Sequence, residues 1–359
     1  MRIELLVDSV EFWNRLEIDL AQARQSAYLQ TFSFEGDRVG LRLARRLRAA
    51  GALDRRLLID GYSLLYHNDR IVPGPAWRDR GFRREVLLTH RSVRKMRAAG
   101  VGVRFCNPVG PSPLKTIRRN HKKLAVFDGK VAYLGGINFC DHNFAWHDMM
   151  IRVEDPDLAD FLSLDFRRTW EGVPQSGDAS FGPFRLLSMN GRSNPDGFRP
   201  VLEAMDAAGA SIDIVSAYLS TPFTKHLARA RQRGVQVRIL TPELNNKGNL
   251  SRHIIEAATR HGFEIIRYPG RMNHLKAMVI DDELLVAGSS NFDFMSYHIL
   301  EELVFLTRDR GLLEAFRRRV WNPDTEGAGS FCSRSSTGTR AGHRAIRTAA
   351  AVAGLLTLP

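Results

Sequence analysis

Cysteine is scarce in this chain: Cys106, Cys140 and Cys332 are the only three in 359 residues. An odd number of widely spaced thiols makes neither a disulfide framework nor a cysteine-rich zinc module. The expectation is a reducing compartment, with Cys106 and Cys140 as buried thiols. Long apolar runs are missing too. No window reaches the ~18 to 20 apolar residues of a membrane span, and the apolar C-terminal stretch 349–358 is too short. The stretch from Met1 to Trp13 carries Glu4, Asp8 and Glu11 and no small-residue cleavage site, which is not a signal-peptide pattern. These absences predict a cytoplasmic protein that meets a membrane peripherally, at its inner face, rather than spanning it.

Acidic charge is also short, with 39 Asp and Glu against 52 Lys and Arg, a net +13. That excess favours a polyanionic partner and does not choose between nucleic acid and an anionic membrane surface. Hydrophobic residues at 44% and charged residues at 25% are the shares of a globular protein, and the length suffices for two domains.

What the sequence does hold is an internal repeat. Asn120-His121-Lys122-Lys123-Leu124-Ala125-Val126-Phe127-Asp128, followed by Gly135-Gly136-Ile137-Asn138, recurs as Asn273-His274-Leu275-Lys276-Ala277-Met278-Val279-Ile280-Asp281, followed by Gly288-Ser289-Ser290-Asn291. The likeness extends upstream. Helical Leu16 to Ser26, a strand at 27–32, a helix from Val39 to Ala50 and a strand at 57–59 match Val201 to Ala208, a strand at 212–215, a helix from Phe223 to Gln232 and a strand at 235–240. Each half then adds a helix ending in glycine (Arg91 to Gly100; Ser251 to Gly262) and a short strand (Val101 to Phe105; Phe263 to Tyr268). Alternating strands and helices predict an α/β sandwich in each half. The boundary falls in the turn-rich stretch 172–182, giving halves at 1–175 and 183–322 and a disordered tail at 323–359.

In an extended strand, residues two apart share a face, so His121 with Lys123 and His274 with Lys276 each present an imidazole and an ammonium together. Asp128 and Asp281 fall on the opposite face or past the strand end and are assigned structural roles. Gly135, Gly136 and Gly288, with Ser289 beside the last, keep bulk away where the next strand passes the site. Asn138 and Asn291 each offer an amide donor to a phosphate oxygen. Asp148 and Glu302, both next to apolar strand-like runs, are candidate orienting partners for His121 and His274.

Two such sets suit double displacement at a phosphodiester: one histidine attacks phosphorus while the other protonates the departing oxygen. The lysines and asparagines meet the charge on the nonbridging oxygens. No carboxylate cluster of metal-binding spacing surrounds either motif, so no metal or other cofactor is expected. Arg42, Arg45, Arg46 and Arg48 read as a solvated helix face. Segment 62–77, with Phe139, Phe144 and Trp146, brings aromatics beside basic residues and is a candidate membrane contact.

These motifs resemble the phospholipase D superfamily, whose signature is His-x-Lys-x4-Asp followed by Gly-Gly or Gly-Ser and Asn. Arg119-Asn120-His121, Gly135-Gly136-Ile137-Asn138, Trp146-His147-Asp148 and Asn291-Phe292-Asp293 are similar to the bacterial cardiolipin synthase branch, over about residues 10–322. The resemblance implies two homologous lobes related by a pseudo-twofold with the active site at their interface. It also implies a covalent phosphohistidine intermediate without metal, His121 as nucleophile and His274 as general acid. Phospholipid is the implied substrate, with transfer to an alcohol or to water. The sequence departs from the branch pattern at Met295, Ser296 and Leu300, near the acceptor or headgroup. A nuclease or DNA phosphodiesterase using the same histidines is the alternative reading.

Overall fold

The computed structural model describes residues 1–72, 74–109, 116–326 and 328, and the backbone of 330 and 331. Its mixed α/β chain divides into two compact units, Met1–Gln175 and Ser176–Pro359.

The first unit runs β1 (Arg2–Val7), α1 (Asp8–Gln22), β2 (Ser26–Thr31), α2 (Arg38–Ala49), β3 (Asp54–Asp60), a small hairpin of β4 (Tyr66–His67) and β5 (Arg70–Ile71), and α3 (Arg80–Ala98). It continues with β6 (Gly102–Cys106), β7 (Leu124–Phe127), β8 (Val131–Gly135), α4 (Asp141–Phe144), β9 (Met149–Glu154) and α5 (Pro156–Glu171). Seven strands form one sheet in the order β1-β9-β8-β7-β2-β3-β6. β2, β3 and β6 are parallel neighbours and the rest pair antiparallel. Helix α1 repeats apolar residues at helical spacing, and Phe12, Trp13, Leu16 and Leu20 are buried with Leu29, Leu57, Ile59, Val103 and Phe127 of the strands. On β2 the alternate residue Tyr28 stacks on Phe166 of α5, ring centroids 4.9 Å apart. The strands are therefore apolar on both faces, as central strands between helices must be.

The second unit runs β10 (Gly177–Phe181), β11 (Phe184–Asn190), α6 (Asn194–Gly197), α7 (Arg199–Ala207), β12 (Ser211–Ser216), α8 (Phe223–Gln232), β13 (Gln236–Pro242) and α9 (Gly248–His261). It continues with β14 (Glu264–Tyr268), β15 (Lys276–Ile280), β16 (Leu284–Gly288), α10 (Phe294–His298), β17 (Glu301–Thr307), α11 (Arg310–Phe316), α12 (Asn322–Thr325) and β18 (Ser330–Phe331). Its sheet order, β10-β11-β17-β16-β15-β12-β13-β14-β18, is the first unit's order with one strand added at each edge.

Two stretches differ from their composition. The turn-rich segment 172–182 holds the break between units but also the whole of β10, an edge strand that pairs with β11 across a turn at Gly182. Its small and polar residues look like loop because an edge strand needs no apolar face on the solvent side. Of the tail that composition marks from 323 onward, 323–325 belong to α12 and 330–331 to β18, which pairs with β14. Residues 332–359, Cys332 included, lie outside the described residues.

The aspartates that close the two motifs sit just past strands β7 and β15, in left-handed backbone at φ 54° and 52°. Asp128 accepts backbone N–H bonds from Arg24, Gln25 and Ser26, at 2.7 Å for Gln25 and 2.9 Å for Ser26. Asp281 accepts from Gly209, Ala210 and Ser211 at 2.7–2.9 Å. Each carboxylate thus ties the end of a motif strand to the turn that starts its neighbour, β2 or β12. Burial alone would raise both acids. The backbone donors outweigh it and hold both below the usual aspartate value. Their contribution is complete above about pH 4, the unfolded aspartate value, and is lost as pH falls through the lowered folded value. Asp128→Ala and Asp281→Ala should each destabilise the protein by about 1–2 kcal/mol in urea unfolding at pH 7. The gap to wild type should shrink at pH 3.

Candidate active site

An asparagine shapes the chain before each motif strand. Asn120 Oδ1 accepts the Lys122 backbone N–H at 3.1 Å, and Asn273 Oδ1 accepts that of Leu275 at 3.2 Å. Such a turn, closed on the residue two further on, makes the histidine between them its middle residue. His121 therefore precedes β7 and His274 precedes β15, and the expectation that each His and Lys share one strand face is corrected. The lysines reach their histidines by folding back. Lys123 Nζ donates to the His121 carbonyl at 2.6 Å. Lys276 Nζ bonds the His274 carbonyl and lies 2.8 Å from His274 Nδ1. Lys123 is 1% exposed and Lys276 2%, against 8% for His121 and 6% for His274.

The first asparagine is itself anchored. Asn120 Oδ1 also accepts from Gln30 Nε2 at 2.9 Å, and its N–H donates to Asp60 at 2.6 Å. Asp60, fully buried at the end of β3, accepts in addition from the Tyr62 N–H at 2.7 Å and from Arg119 at 3.1 Å. One carboxylate so joins β3, the motif turn and the segment after β3.

Behind each histidine strand, a glycine makes room for a carboxylate. Gly135 pairs with Met150 and Gly288 with Val304, so Asp148 and Glu302, two residues earlier on β9's approach and on β17, occupy the same place in the two sheets. A Cβ on Gly136 would lie 2.2 Å from Asp148 Oδ1. The equivalent residue, Ser289, uses that space to donate to Glu302 at 2.5 Å, and Ser296 donates to the other oxygen at 2.8 Å. Both carboxylates are buried. Gly135 and Gly288 have φ of 158° and 154°, and a Cβ there would strike the Met149 or Leu303 carbonyl at 2.4 or 2.1 Å; only glycine fits.

The two amides differ in setting. Asn138 Oδ1 accepts from Thr31 Oγ1 and the Ser33 N–H, both at 3.3 Å, and its Nδ2 donates to Asn143 at 3.0 Å. Asn291, 6% exposed, makes no side-chain hydrogen bond among the described residues. Aromatic rings stand beside both histidines. Phe32 meets His121 edge-on at 5.2 Å and Tyr218 meets His274 at 6.0 Å. Phe32 continues into a stack with Tyr62 at 4.6 Å, and Tyr62 with Tyr66 at 4.4 Å.

Several of these residues were missed from sequence. Asn120 and Asn273 recur in both copies, which was the available signal. Phe32 and Asp60 lie outside the repeated motif and carried none; Ser296 stood out only as a departure from the branch pattern, not as a partner of Glu302. Phe139, a candidate membrane aromatic, is instead a core residue, 2% exposed and packed on Phe12, Trp13 and Phe144. Arg42 and Arg46 pair with Glu17 at 2.8 and 2.6 Å on the solvent side of α2.

A family model described as cardiolipin synthase, PLD-like domain, matches residues 16–170 and 201–322. This chain belongs to that family. It is 24% identical over 347 residues to cardiolipin synthase B of Shigella flexneri, covering 88% of this chain and 78% of that protein. To cardiolipin synthase B of Salmonella typhi it is 26% identical over 346 residues, with the same coverage. Among solved structures, phosphatidylserine synthase from Haemophilus influenzae Rd KW20 matches with a TM-score of 0.71 at 13% identity, over 99% of this chain and 94% of that one. Polyphosphate kinase from Porphyromonas gingivalis matches at 0.60 and 14% identity, over 98% and 53%. At such identities these two establish the fold alone, a fold of the phospholipase D type.

For this member of the PLD-like cardiolipin synthase family, the glycine-carboxylate contact makes a sharp expectation. Gly136→Ala must displace Asp148 by an ångström or more and should lower phosphodiester turnover about 100-fold. Ser289→Gly removes one hydrogen bond to Glu302 without a clash and should lower it less. Steady-state rates of the two variants, with circular dichroism to verify folding, make the comparison.

Proposed function

We propose that this chain is a phosphatidyltransferase of the phospholipase D type, acting on phospholipid through a phosphohistidine intermediate. The observation that carries the proposal is the duplicated half-site. Each unit holds one histidine off a strand end, a buried lysine folded against it, an asparagine amide, and a carboxylate seated in the same place behind a glycine. One half-site supplies one nucleophile or one acid, and cutting a phosphodiester by double displacement takes both.

In the first step a ring nitrogen of His121 attacks phosphorus, the bond to the leaving oxygen breaks, and His274 gives that oxygen its proton. In the second, His274 takes the proton of an acceptor hydroxyl, whose oxygen attacks phosphorus and releases His121. His274 is assigned as the acid because the signature this chain resembles takes its nucleophile from the first motif; to give up a proton and leave a neutral ring, His274 enters the first step as the imidazolium. Lys123, Lys276, Asn138 and Asn291 supply N–H donors to the nonbridging oxygens as charge grows there. Asp148 and Glu302 are assigned the orientation of the two imidazoles.

Phospholipid is preferred over nucleic acid because the matched family and the relatives spanning most of this chain carry the cardiolipin synthase name. The surface near His121 agrees. Between β3 and α3 the first unit carries an excursion in which Tyr62 and Tyr66 extend the stack from Phe32, with Leu64, Ile71 and Trp77 exposed by 41%, 47% and 41%. Arg70 and Arg78 lie in the same stretch, and Arg80, Arg83 and Arg84 stand in the first turns of α3. Apolar tips beside basic residues suit an anionic bilayer surface. No helix among the described residues is long and apolar enough to cross a membrane.

Incubation with phosphatidylglycerol vesicles, with and without added alcohol, should yield cardiolipin, phosphatidic acid or an exchanged headgroup by mass spectrometry. His274→Ala should lower the rate by about 10²–10⁴-fold, and a trapped phosphoryl adduct should map to His121. No lipid product with any acceptor would overturn the proposal. Replacing Leu64, Ile71 and Trp77 together by serine should weaken sedimentation with anionic vesicles while leaving turnover of a soluble short-chain substrate near wild type.

A further inference from the structure

Five metal-ligating side chains of the first unit, none of them in the motif, form two groups that share Glu35. Glu35 follows β2, His67 lies in β4, Glu85 is on α3, and Cys140 and His142 stand at the start of α4. Glu35 with Cys140 and His142 form one group whose ligand atoms all lie within 4.8 Å of one another, and Glu35 with His67 and Glu85 form a second. Glu35 belongs to both. Its Oε2 is 3.8 Å from His142 Nδ1, His142 Nε2 is 3.8 Å from Cys140 Sγ, and His67 Nδ1 is 3.6 Å from Glu85 Oε1. A tetrahedral zinc ion with bonds of about 2.0–2.3 Å sets its ligand atoms about 3.3–3.7 Å apart; His142 can offer it one ring nitrogen, so the group of Glu35, Cys140 and His142, whose ligand atoms lie within 4.8 Å of one another, needs to contract by about 1 Å at most.

Burial turns proximity into a problem that a cation would solve. Glu35 is 4% exposed, His67 1% and Cys140 0%. His67 Nδ1 and Glu85 Oε1 are buried without a hydrogen-bond partner, an arrangement that ordinarily costs about 1–3 kcal/mol for each group. Among the described residues no lysine or arginine pairs with Glu35 or Glu85. Burial first, and the neighbouring Glu85 after it, push the Glu35 carboxyl up to about 9. Burial and then Glu35 push the Cys140 thiol well above its usual value.

We propose that Glu35, Cys140 and His142 bind one divalent transition-metal ion, with Zn²⁺ the chemical match for a set of imidazole, carboxylate and thiol ligands. Binding displaces protons from Glu35 and Cys140, so affinity rises with pH. The ion ties the segment after β2 to the start of α4, and Glu35, which also groups with His67 and Glu85, extends the tie to β4 and α3. Ser33, two residues before Glu35, bonds Asn138. Tyr66, adjacent to His67, ends the aromatic stack that begins at Phe32. Asn143 Oδ1 accepts from both Cys140 Sγ and Asn138 Nδ2, each at 3.0 Å. The role is therefore structural, a clamp on the excursion and on the loop carrying Asn138.

Among the described residues the second unit has no equivalent. The bridges Phe34 to Phe139 and Leu219 to Phe292 align Glu35 with Ser220, Cys140 with Asp293 and His142 with Met295, so the site is particular to the first unit. None of its ligands belongs to the proposed catalytic set, and its test does not depend on any lipid activity.

The full-length protein, expressed in zinc-supplemented medium and dialysed against metal-free buffer, should retain one zinc per chain by plasma mass spectrometry. After stripping with a chelator, Zn²⁺ at a hundredfold excess over Kd should raise Tm by about 5–10 °C, with Mg²⁺ giving no rise. Cobalt-loaded protein should show a thiolate charge-transfer band that Cys140→Ser removes. Glu35→Gln and His142→Asn, verified as folded by circular dichroism, should weaken zinc binding by more than about 100-fold, beyond what substitutions outside the ligand shell cost. Substoichiometric zinc in the wild type with no rise in Tm on adding Zn²⁺ would overturn the site. So would full zinc retention in the folded His142→Asn variant.

Discussion

Each half-site depends on a carboxylate pressed against a position where almost no side chain fits. In the first unit the Asp148 carboxylate fills the space a Cβ of Gly136 would take, and in the second Ser289 fits because its oxygen bonds Glu302 instead of colliding with it. A glutamate is one methylene longer than an aspartate, so it can stand off far enough to leave room for that hydroxyl. The strand pairing of the preceding glycine, with Met150 in one sheet and Val304 in the other, then fixes the carboxylate in the same place. The sequence differences at these two positions compensate one another. A buried carboxylate with a fixed seat is what an imidazole needs if it is to keep one tautomer through a proton transfer.

The alternating elements and the repeat were legible because central strands are apolar on both faces and helices carry one apolar stripe, and each pattern has its own period. Boundaries were less so. The pattern marks α3 from Arg91, yet the helix begins at Arg80, where Asp79 accepts the Gly81 and Phe82 N–H groups at 2.7 and 3.2 Å. Its first turns lie against the excursion instead of the sheet, so their apolar spacing is diluted by arginine. The structural reading of Asp128 and Asp281 followed from parity alone. What parity could not give is where their carboxylates go, to backbone N–H groups about a hundred residues away in one case and seventy in the other.

The geometry of the motif itself was misread for an instructive reason. His-x-Lys spacing within an apolar run looks like one face of a strand, and period-two reasoning has no term for a side chain that competes with the strand for backbone donors. Asn120 and Asn273 do so, and the chain turns before it extends. The residue after the histidine shows how loosely that position is constrained chemically and how tightly sterically. Lys122 and Leu275 are both fully buried, the lysine with Asp165 meeting its ammonium at 2.7 Å. Removing one member of such a pair typically costs about 3–5 kcal/mol, while the apolar alternative needs no partner. A comparison of the copies alone would rank this position as variable and miss that one copy carries a buried ion pair.

Duplication left the strand order intact and let the connections diverge. Between β3 and α3 the first unit inserts two short 3₁₀ turns and the β4–β5 hairpin, where the second passes from β13 to α9 through residues 243–247. The excursion is apolar at its tips and cannot bury them in the unit that carries it, as Leu64, Ile71 and Trp77 remain exposed. Long exposed loops of this kind seldom hold their shape by packing. This one is fixed at its root by polar contacts: Asp60 caps the turn at Tyr62, the Asn68 N–H donates to Glu35 at 3.0 Å, and His67 faces Glu85. A loop that presents apolar residues outward next to the motif histidine is anchored through polar groups inward. The cluster of buried acids and imidazoles beneath it supplies that anchoring.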